Sequence, residues 1–342
     1  MPKVSVVIPT YNRANFIAES IQSVLDQTFT DFEIVIIDDG STDNTREVID
    51  SFRDRRIRYT HQENGGVGSA SNRGFELSAG EYIAFFSSDD ILVEDALERG
   101  VEALDRHPEV AFSYGQIYLM DERGHVFGLR KPRHGHATVR PGTEEIRKAI
   151  IDGNHIPAMT IMARRNCLFE VGLYDPAFSD GSEDLDLWVR LARKYPVAYI
   201  PAPLAKYRMH SGCMTIARAV DEELETKSRI LESVFNDPEL GPRFASLRSR
   251  AYFYLHLRLA RHAYEAGDMK SSREQLSAAL KFNHGKLFEV LHLTWIYQFA
   301  KTWIPLAILP SIRNARRHLS RVVQYRARQV RTESEMNSRT SI

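Results

Sequence analysis

The chain opens on a run of apolar positions that alternates with polar punctuation in a regular way. Residues 4–8 (VSVVI) read as a strand, stopped by Pro9 and followed by a loop through Thr10, Tyr11 and Asn12. Ile17, Ile21, Val24 and Leu25 then fall on one helical face. Residues 32–37 (FEIVII) are a second strand, ending at Asp38-Asp39-Gly40-Ser41. Asn44 and Glu47 have capping-box spacing at the head of a helix that carries Val48, Ile49 and Phe52. A short third strand is expected at 57–59. Asn64-Gly65-Gly66-Val67-Gly68 then leads into a helix over 69–77. Residues 82–86 (YIAFF) form a continuous apolar run, as in a strand covered on both faces. Strand–helix alternation of this kind predicts an α/β fold with a mixed, mainly parallel central sheet.

Further on, the pattern predicts a helix from 91 to about 107, strands at 110–114 and 116–120, and a turn at 121–124. Residues 128–143 are basic, rich in Gly and Pro, and poorly periodic. They read as a surface loop, either on the acceptor or phosphate side of a site or simply solvated. An apolar run at 156–163 and a helix whose face is Leu185, Trp188, Val189 and Ala192 come next, with Ser182 placed to cap that helix. A strand at 197–200 precedes Tyr207-Arg208-Met209-His210. From 219 the composition turns helical. Residues 258–283 resemble one helical-hairpin repeat of the tetratricopeptide kind, with Gly267-Asp268 as the turn. The expected domains are therefore 1–218, an α-helical C-terminal region over 219–331, and a disordered tail over 332–342.

With 342 residues the chain has room for two domains, and its formal net charge of zero gives no global signal for nucleic acid. Cys167 and Cys213 make neither a metal spacing nor a disulfide framework, which fits a reducing compartment. No cleavable leader is evident before the first strand, so a cytoplasmic location is expected. Residues 290–312 are the most hydrophobic stretch, interrupted by Lys301 and Pro305. Residues 313–331 after them are rich in Arg without an acidic residue. That pair suggests attachment to the cytoplasmic face of an anionic membrane, with ordinary buried helices and a true span as the alternatives.

Chemistry concentrates where strands end. Asp89 and Asp90 come after the 82–86 strand, at the carboxyl edge where open α/β sheets collect ligands. Paired carboxylates repel unless a cation or a shared proton offsets them, and Mg2+ or Mn2+ favours such oxygens. Capping of the next helix is the plainer reading. The glycine segment at 64–68 nearly matches a dinucleotide fingerprint, but Ser71 stands where its last Gly would be. The first turn also has no Gly, so a dehydrogenase is disfavoured. Glu183 and Asp184 sit in the first turn of their helix, where the dipole favours carboxylates in any case.

Taken in order, VSVVIPTYNR, EIVIIDDGSTDNT, NGGVG, FFSSDDIL, SEDLDLWVRLA and YRMH resemble the inverting family-2 glycosyltransferases of the GT-A fold, over about residues 3–212. The resemblance implies that Pro9, Thr10, Tyr11, Arg13, Asp38, Asp39, Gly66, Ser71, Ser88, Asp89 and Arg208 would hold a nucleotide-sugar donor. It likewise implies a divalent cation on Asp89, Asp90 and His210, and Asp184 as the catalytic base with Glu183 beside it. The activity it implies is metal-dependent, inverting transfer from a nucleotide-diphosphate donor, UDP-linked, to a saccharide or lipid-linked acceptor. Two positions depart from the family: Ser87 stands where many members carry Asp, and Ser71 where many carry Arg. Arg73 or the 130–140 loop is the candidate substitute for the latter. A degenerate, non-catalytic saccharide-binding or scaffold protein is the rival reading, and a nucleotidyltransferase a third.

Overall fold

In the computed structural model the described residues are 1–131, 139–178, 182–210 and 219–282. The chain divides into two compact units, Met1–Leu255 and His256–Ile342. The first begins with β1 (Val4–Thr10), α1 (Ile17–Leu25), β2 (Phe32–Asp38), α2 (Thr45–Asp50), β3 (Ile57–His61), α3 (Gly66–Leu77) and β4 (Tyr82–Phe85). Strand β1 lies between β2 and β4, parallel to both, so Val6 faces Ile34 on one side and Ala84 on the other. Strands β1, β2 and β4 are buried on both faces because helices cover both. Val4, Val6 and Ile8 pack with Ile17, Ile21 and Val24 of α1 in one core. On the other face α3 lies against β1 and β2. Gly74 is required there: a Cβ on it would stand 2.3 Å from Val7 Cγ1. Full burial of a Val or Ile is worth about 1.5–3 kcal/mol, so this double-sided layer anchors the unit.

The second half adds β5 (Ile91–Leu92), α4 (Ala96–Arg106), β6 (Phe112–Met120), β7 (Val126–Arg130), β8 (Val139–Arg140), α5 (Gly142–Asp152), β9 (Met162–Arg164), α6 (Arg165–Val171), α7 (Glu183–Lys194) and β10 (Val197–Arg208). The strand order is β3-β2-β1-β4-β9-β6-β10-β5, with β7 on β6 and β8 on β10. Among the described residues β1, β2, β3, β4, β6 and β10 point one way and β5, β7, β8 and β9 the other. The sheet is mixed and mainly parallel. Its carboxyl edge gathers the ends of β1, β2 and β4.

Local details differ from the periodicity. The helix expected from 91 starts at Ala96, because Ile91 and Leu92 pair with Lys206 and Ala205 instead. Asp89 and Asp90 are therefore not its caps. Asn44 makes no side-chain cap bond; Asp43 takes the Thr45 amide at 3.0 Å. Ser182 likewise makes no side-chain cap bond. The two strands expected over 110–120 are one strand, β6. The strand expected at 197–200 runs on to Arg208, through register shifts at 199–205 that keep it paired to β6. The loop expected over 128–143 holds β8 and the end of β7, and residues 132–138 of it lie outside the described residues.

Helix α8 (Val220–Phe235) and α9 (Leu240–Phe244) belong to the first unit, beyond the boundary expected at 218. Arg193 of α7 reaches the Ser233 carbonyl at 2.6 Å, which ties α8 to α7. Helix α10 (Arg248–Glu265) runs from the first unit into the second. In the second unit α11 (Met269–Lys281) turns back at Gly267-Asp268, with Asp268 accepting the Ser271 amide. The buried His256 bonds Gln275 across the two helices at 2.7 Å. The apolar stretch 290–312, the basic 313–331 and the tail 332–342 lie outside the described residues. No helix among the described residues is long and apolar enough to cross a membrane.

Candidate active site

The loop after β1 is built to present side chains. Asn12 holds a left-handed backbone, φ 51°, fixed by the Ser41 hydroxyl on its amide and the Thr42 amide on its side chain, at 2.9 and 2.8 Å. Strain of this kind persists only when surroundings enforce it. The loop sets Pro9, Thr10, Tyr11 and Arg13 along a cleft of about 450 Å3. Tyr11 is exposed there, an aromatic face open to a planar ligand. The Thr10 hydroxyl is buried with no hydrogen-bond partner among the described residues.

Asp39 ends β2 against the glycine segment. Its carboxylate accepts the Gly65 amide at 2.9 Å, the Gly66 amide at 2.8 Å and the Gln62 side chain at 2.8 Å. Gly66 has φ 84°, which a side chain would oppose, and that turn lets successive amides face one carboxylate. Asp39 thus satisfies the head of α3 while lining the cleft. Asp38 lies outside it. One of its oxygens accepts the Ser41 amide and the other the Tyr59 hydroxyl, at 2.8 and 2.7 Å.

Ser87, Ser88, Asp89 and Asp90 form the opposite wall. Asp90 is buried. Its Oδ1 accepts the Arg208 amide at 2.9 Å, and its Oδ2 has no partner among the described residues. Burial, then the neighbouring Asp89 charge, push the Asp90 carboxyl up to about 8. The Arg208 amide, the Ser87 hydroxyl and the Arg208 guanidinium pull the other way. Asp89 Oδ2 receives Arg13 Nε at 3.3 Å and stands 3.1 Å from His210 Nε2. Arg208 does not line the cleft. Its guanidinium is buried, bonded to the Asp89 carbonyl at 2.9 Å, the Glu122 carbonyl at 2.9 Å and Glu19 at 2.5 Å. It fixes the Asp89-Asp90 turn from behind. The His210 ring lies tilted against Phe16, centroids 4.8 Å apart, and bears on the site through Asp89.

No group of three or more His, Cys, Asp or Glu side chains poised for a metal ion occurs among the described residues. The chemistry of the donor set nonetheless fits a hard divalent cation. Asp90 carries a buried oxygen without a hydrogen-bond donor among the described residues, beside a second carboxylate. Mg2+-type sites often take one or two protein carboxylates and complete the shell with substrate phosphates.

A second hollow, about 210 Å3, adjoins the first and shares Pro9, Val67 and Ser87 with it. Ser71, Tyr174, Glu183 and Asp184 line it, with Phe86 and Met159. Asp184 lies in the first turn of α7. Its Oδ1 accepts the Leu185 amide and its Oδ2 the Asn154 side chain, both at 2.6 Å. Burial, then the charges of Asp184 and Glu183, hold the Tyr174 phenol well above its ordinary value. Asn72 of α3 clasps the Tyr174 backbone in both directions, at 2.8 and 2.9 Å. The glycine helix and the α7 approach are so joined.

The structure therefore gathers Pro9, Thr10, Tyr11, Arg13, Asp39, Gly66, Ser88, Asp89 and Asp90 around one cleft, and Ser71, Glu183 and Asp184 around its neighbour. It leaves Asp38, Arg208 and His210 outside both linings. Arg73 pairs with Glu76 at 3.6 Å on the surface and lines neither. Asn64, Val67, Ala70 and Tyr207 join the wall, although the sequence did not single them out as site residues. Asn64 and Val67 belong to the glycine segment, and that was their signal. Asn154 carried none.

A family model described as Glycosyl transferase family 2 matches residues 5–168. The putative teichuronic acid biosynthesis glycosyltransferase TuaG of Bacillus subtilis is 32% identical over 212 residues, 61% of this chain and 79% of its own. An uncharacterised glycosyltransferase of Nostoc is 46% identical over 243 residues, 66% of this chain and 71% of its own. The chain belongs to glycosyl transferase family 2. It spans only 38% of the length of a Rickettsia felis relative, 34% identical over 248 residues. Among solved structures, S. aureus TarS in complex with UDP-GlcNAc matches with a TM-score of 0.56 at 18% identity, covering 82% of this chain and 92% of that one. The mannosyltransferase PcManGT from Pyrobaculum calidifontis, in complex with GDP-Man and Mn2+, matches with 0.55 at 17%, covering 88% and 86%. These similarities establish the GT-A fold.

Proposed function

We propose that this protein transfers a sugar, with inversion, from a nucleotide-diphosphate donor to an acceptor hydroxyl in glycan biosynthesis. The observation that carries the reading is the pair of adjoining hollows: a nucleotide-sized cleft ending at Asp89-Asp90, and beside it a hollow lined by two helix-borne carboxylates, Glu183 and Asp184, of which Asp184 is assigned as the base. Tyr11 offers its ring to the base. Thr10 has a hydroxyl without a partner among the described residues. The donor is a UDP-sugar, the nucleotide bound by TarS, and the acceptor a saccharide or a lipid-linked one. A divalent cation, Mn2+ or Mg2+, would be held by Asp90 and Asp89 with His210 behind them, and supplies positive charge for the diphosphate.

The acceptor oxygen forms its bond to C1 while the C1–oxygen bond to the diphosphate breaks. The nucleoside diphosphate leaves with the bonding pair, and Asp184 takes the acceptor proton. Arg13, ion-paired to Asp89, stands at the diphosphate end, and Arg208 keeps the Asp89-Asp90 turn in place. Retaining hydrolysis would need two carboxylates flanking the sugar bond; one base opposite the leaving group suffices for inversion.

The test is calorimetric binding of UDP, GDP, CDP and dTDP with Mn2+ and with chelator, then turnover of Asp184→Asn. Metal-dependent binding of one nucleotide, retained in Asp184→Asn while transfer falls by about 10²–10⁴-fold, is the expected result. Loss of binding and transfer together would make Asp184 structural and overturn the assignment. Attachment to the cytoplasmic membrane face through 286–342 is part of the same proposal. A chain truncated before 286 should leave the membrane fraction; unchanged partition refutes the attachment.

A further inference from the structure

The side chain that holds Asp184 from outside the hollow is Asn154, in the turn after α5. Its Nδ2 donates to Asp184 Oδ2 at 2.6 Å. The opposite amide orientation would set oxygen against oxygen at that distance, so the carboxylate dictates which way the amide faces. Asn154 Oδ1 is buried with no partner among the described residues. The amide is thus not fixed by a second bond of its own. The next residue in the chain, His155, is itself anchored.

His155 Nε2 lies 2.8 Å from Glu145 Oε2. Glu145 is buried on α5, and the Tyr114 hydroxyl donates to the same oxygen at 3.1 Å. Its other oxygen receives Lys148 Nζ at 2.8 Å and Arg140 at 3.3 Å. A carboxylate saturated by a His, a Tyr, a Lys and an Arg in the core is a rigid post. Burial alone would raise the Glu145 carboxyl; the His155 and Lys148 hydrogen bonds outweigh it and bring the carboxyl down to about 2. None of these groups takes part in the transfer step itself.

We propose that Asn154 is a positioning residue for the base Asp184, and that the pairing of His155 with the buried Glu145 sets where Asn154 stands. The inference rests on Asp184 being the base. With Oδ1 tied to the Leu185 amide and Oδ2 to Asn154, the carboxylate has one orientation toward an incoming hydroxyl. A base misplaced by about 1 Å loses about 10²-fold in rate. A hydrogen bond donated to the charged form also favours the ionised carboxylate that accepts the proton.

The experiment compares full-length wild type, Asn154→Ala and His155→Ala. It measures nucleotide release from UDP-, GDP-, CDP- and dTDP-sugars with simple glycoside acceptors, nucleotide affinity by calorimetry, and melting temperature. The expected result for Asn154→Ala is a kcat lower by about 10–100-fold, with nucleotide affinity and donor KM within about threefold of wild type. His155→Ala should lower kcat less, by about 3–10-fold, again with donor KM unchanged. It carries the test if Asn154→Ala does not fold. Asn154→Ala with unchanged kcat overturns the proposal alone, as does a parallel fall in kcat and nucleotide affinity, the mark of a merely structural residue. No turnover by wild type with any donor overturns the transferase reading and this proposal with it.

Discussion

Replacing Asp90 by Asn should make the metal-free protein more stable while removing its response to Mn2+. Asp90 is buried, one of its oxygens has no donor among the described residues, and its carboxyl is pushed from 3.8 to about 8 by burial and Asp89. Below pH 3.8 both folded and unfolded states hold the proton, and the group contributes nothing. As the pH rises past 3.8 the unfolded carboxyl ionises while the folded one stays protonated, so stability falls until about pH 8. At about pH 7 the span is a little over three pH units at ~1.4 kcal/mol each, or ~4 kcal/mol. Asn carries no such penalty, but its buried amide lacks a partner at Oδ2's position, which costs about 1–3 kcal/mol. A net gain of about 1–3 kcal/mol remains, which for a unit of this size raises the melting temperature by roughly 2–12 °C. Mn2+ at a hundredfold its dissociation constant should stabilise wild type by about 2.7 kcal/mol and leave the variant unmoved. Thermal melts of both proteins from about pH 5 to 8, with chelator and with Mn2+, decide it. The gap between them should narrow toward the acid end. A variant no more stable than wild type in chelator, or one that gains as much from Mn2+, refutes the reasoning.

The packing sets four other expectations. Glu145→Ala takes from the buried Arg140 and Lys148 the carboxylate they share, with Lys148 keeping Glu144 at 3.2 Å, and should cost about 3–5 kcal/mol, read as a lower urea midpoint with unchanged slope. In wild type the Glu145 carboxyl is held at about 2, so its stabilisation is complete above about pH 4.5 and lost as the pH falls toward 2. A urea series on wild type and Glu145→Gln should show their difference shrinking through that window. Gly74→Ala places a methyl 2.3 Å from Val7 Cγ1 and should destabilise by about 1–3 kcal/mol in thermal melts. Asp39→Ala strips two amides at the head of α3 of their acceptor, and calorimetry should show weaker nucleotide binding alongside a loss of about 1–3 kcal/mol of stability.

The parallel layer was legible because burial on both faces writes itself as unbroken apolar runs: 4–8, 32–37 and 82–86 are β1, β2 and β4 within two residues at each end. The helices expected on the faces of this layer formed as well. What the pattern misplaced lies where tertiary pairing overrides it. Ile91 and Leu92 have a helical neighbourhood, yet they close the sheet against β10, because the turn that carries Asp89 and Asp90 leaves them beside Ala205 and Lys206. Helix α5 hid for another reason. Its sequence buries Glu145 and Lys148, so its inward face reads as charged and its period is lost.

The same concealment bears on the site. Residues that would touch a ligand sit at strand ends and glycine turns, and those places can be found from spacing. Residues that orient them need no such address. Arg208 reads as a cation suited to a diphosphate; folded, it spends its donors on the Asp89 and Glu122 carbonyls and on Glu19, so its charge reaches the cleft only through the turn it secures. Asn154 reads as nothing at all, one polar residue in a loop, and becomes the partner of Asp184 only when α5 and α7 lie side by side. A charge in the sequence announces what a residue can bind. Whether it binds the ligand or the protein is decided by which backbone carbonyls the fold leaves without donors, and that is a property of the assembled chain.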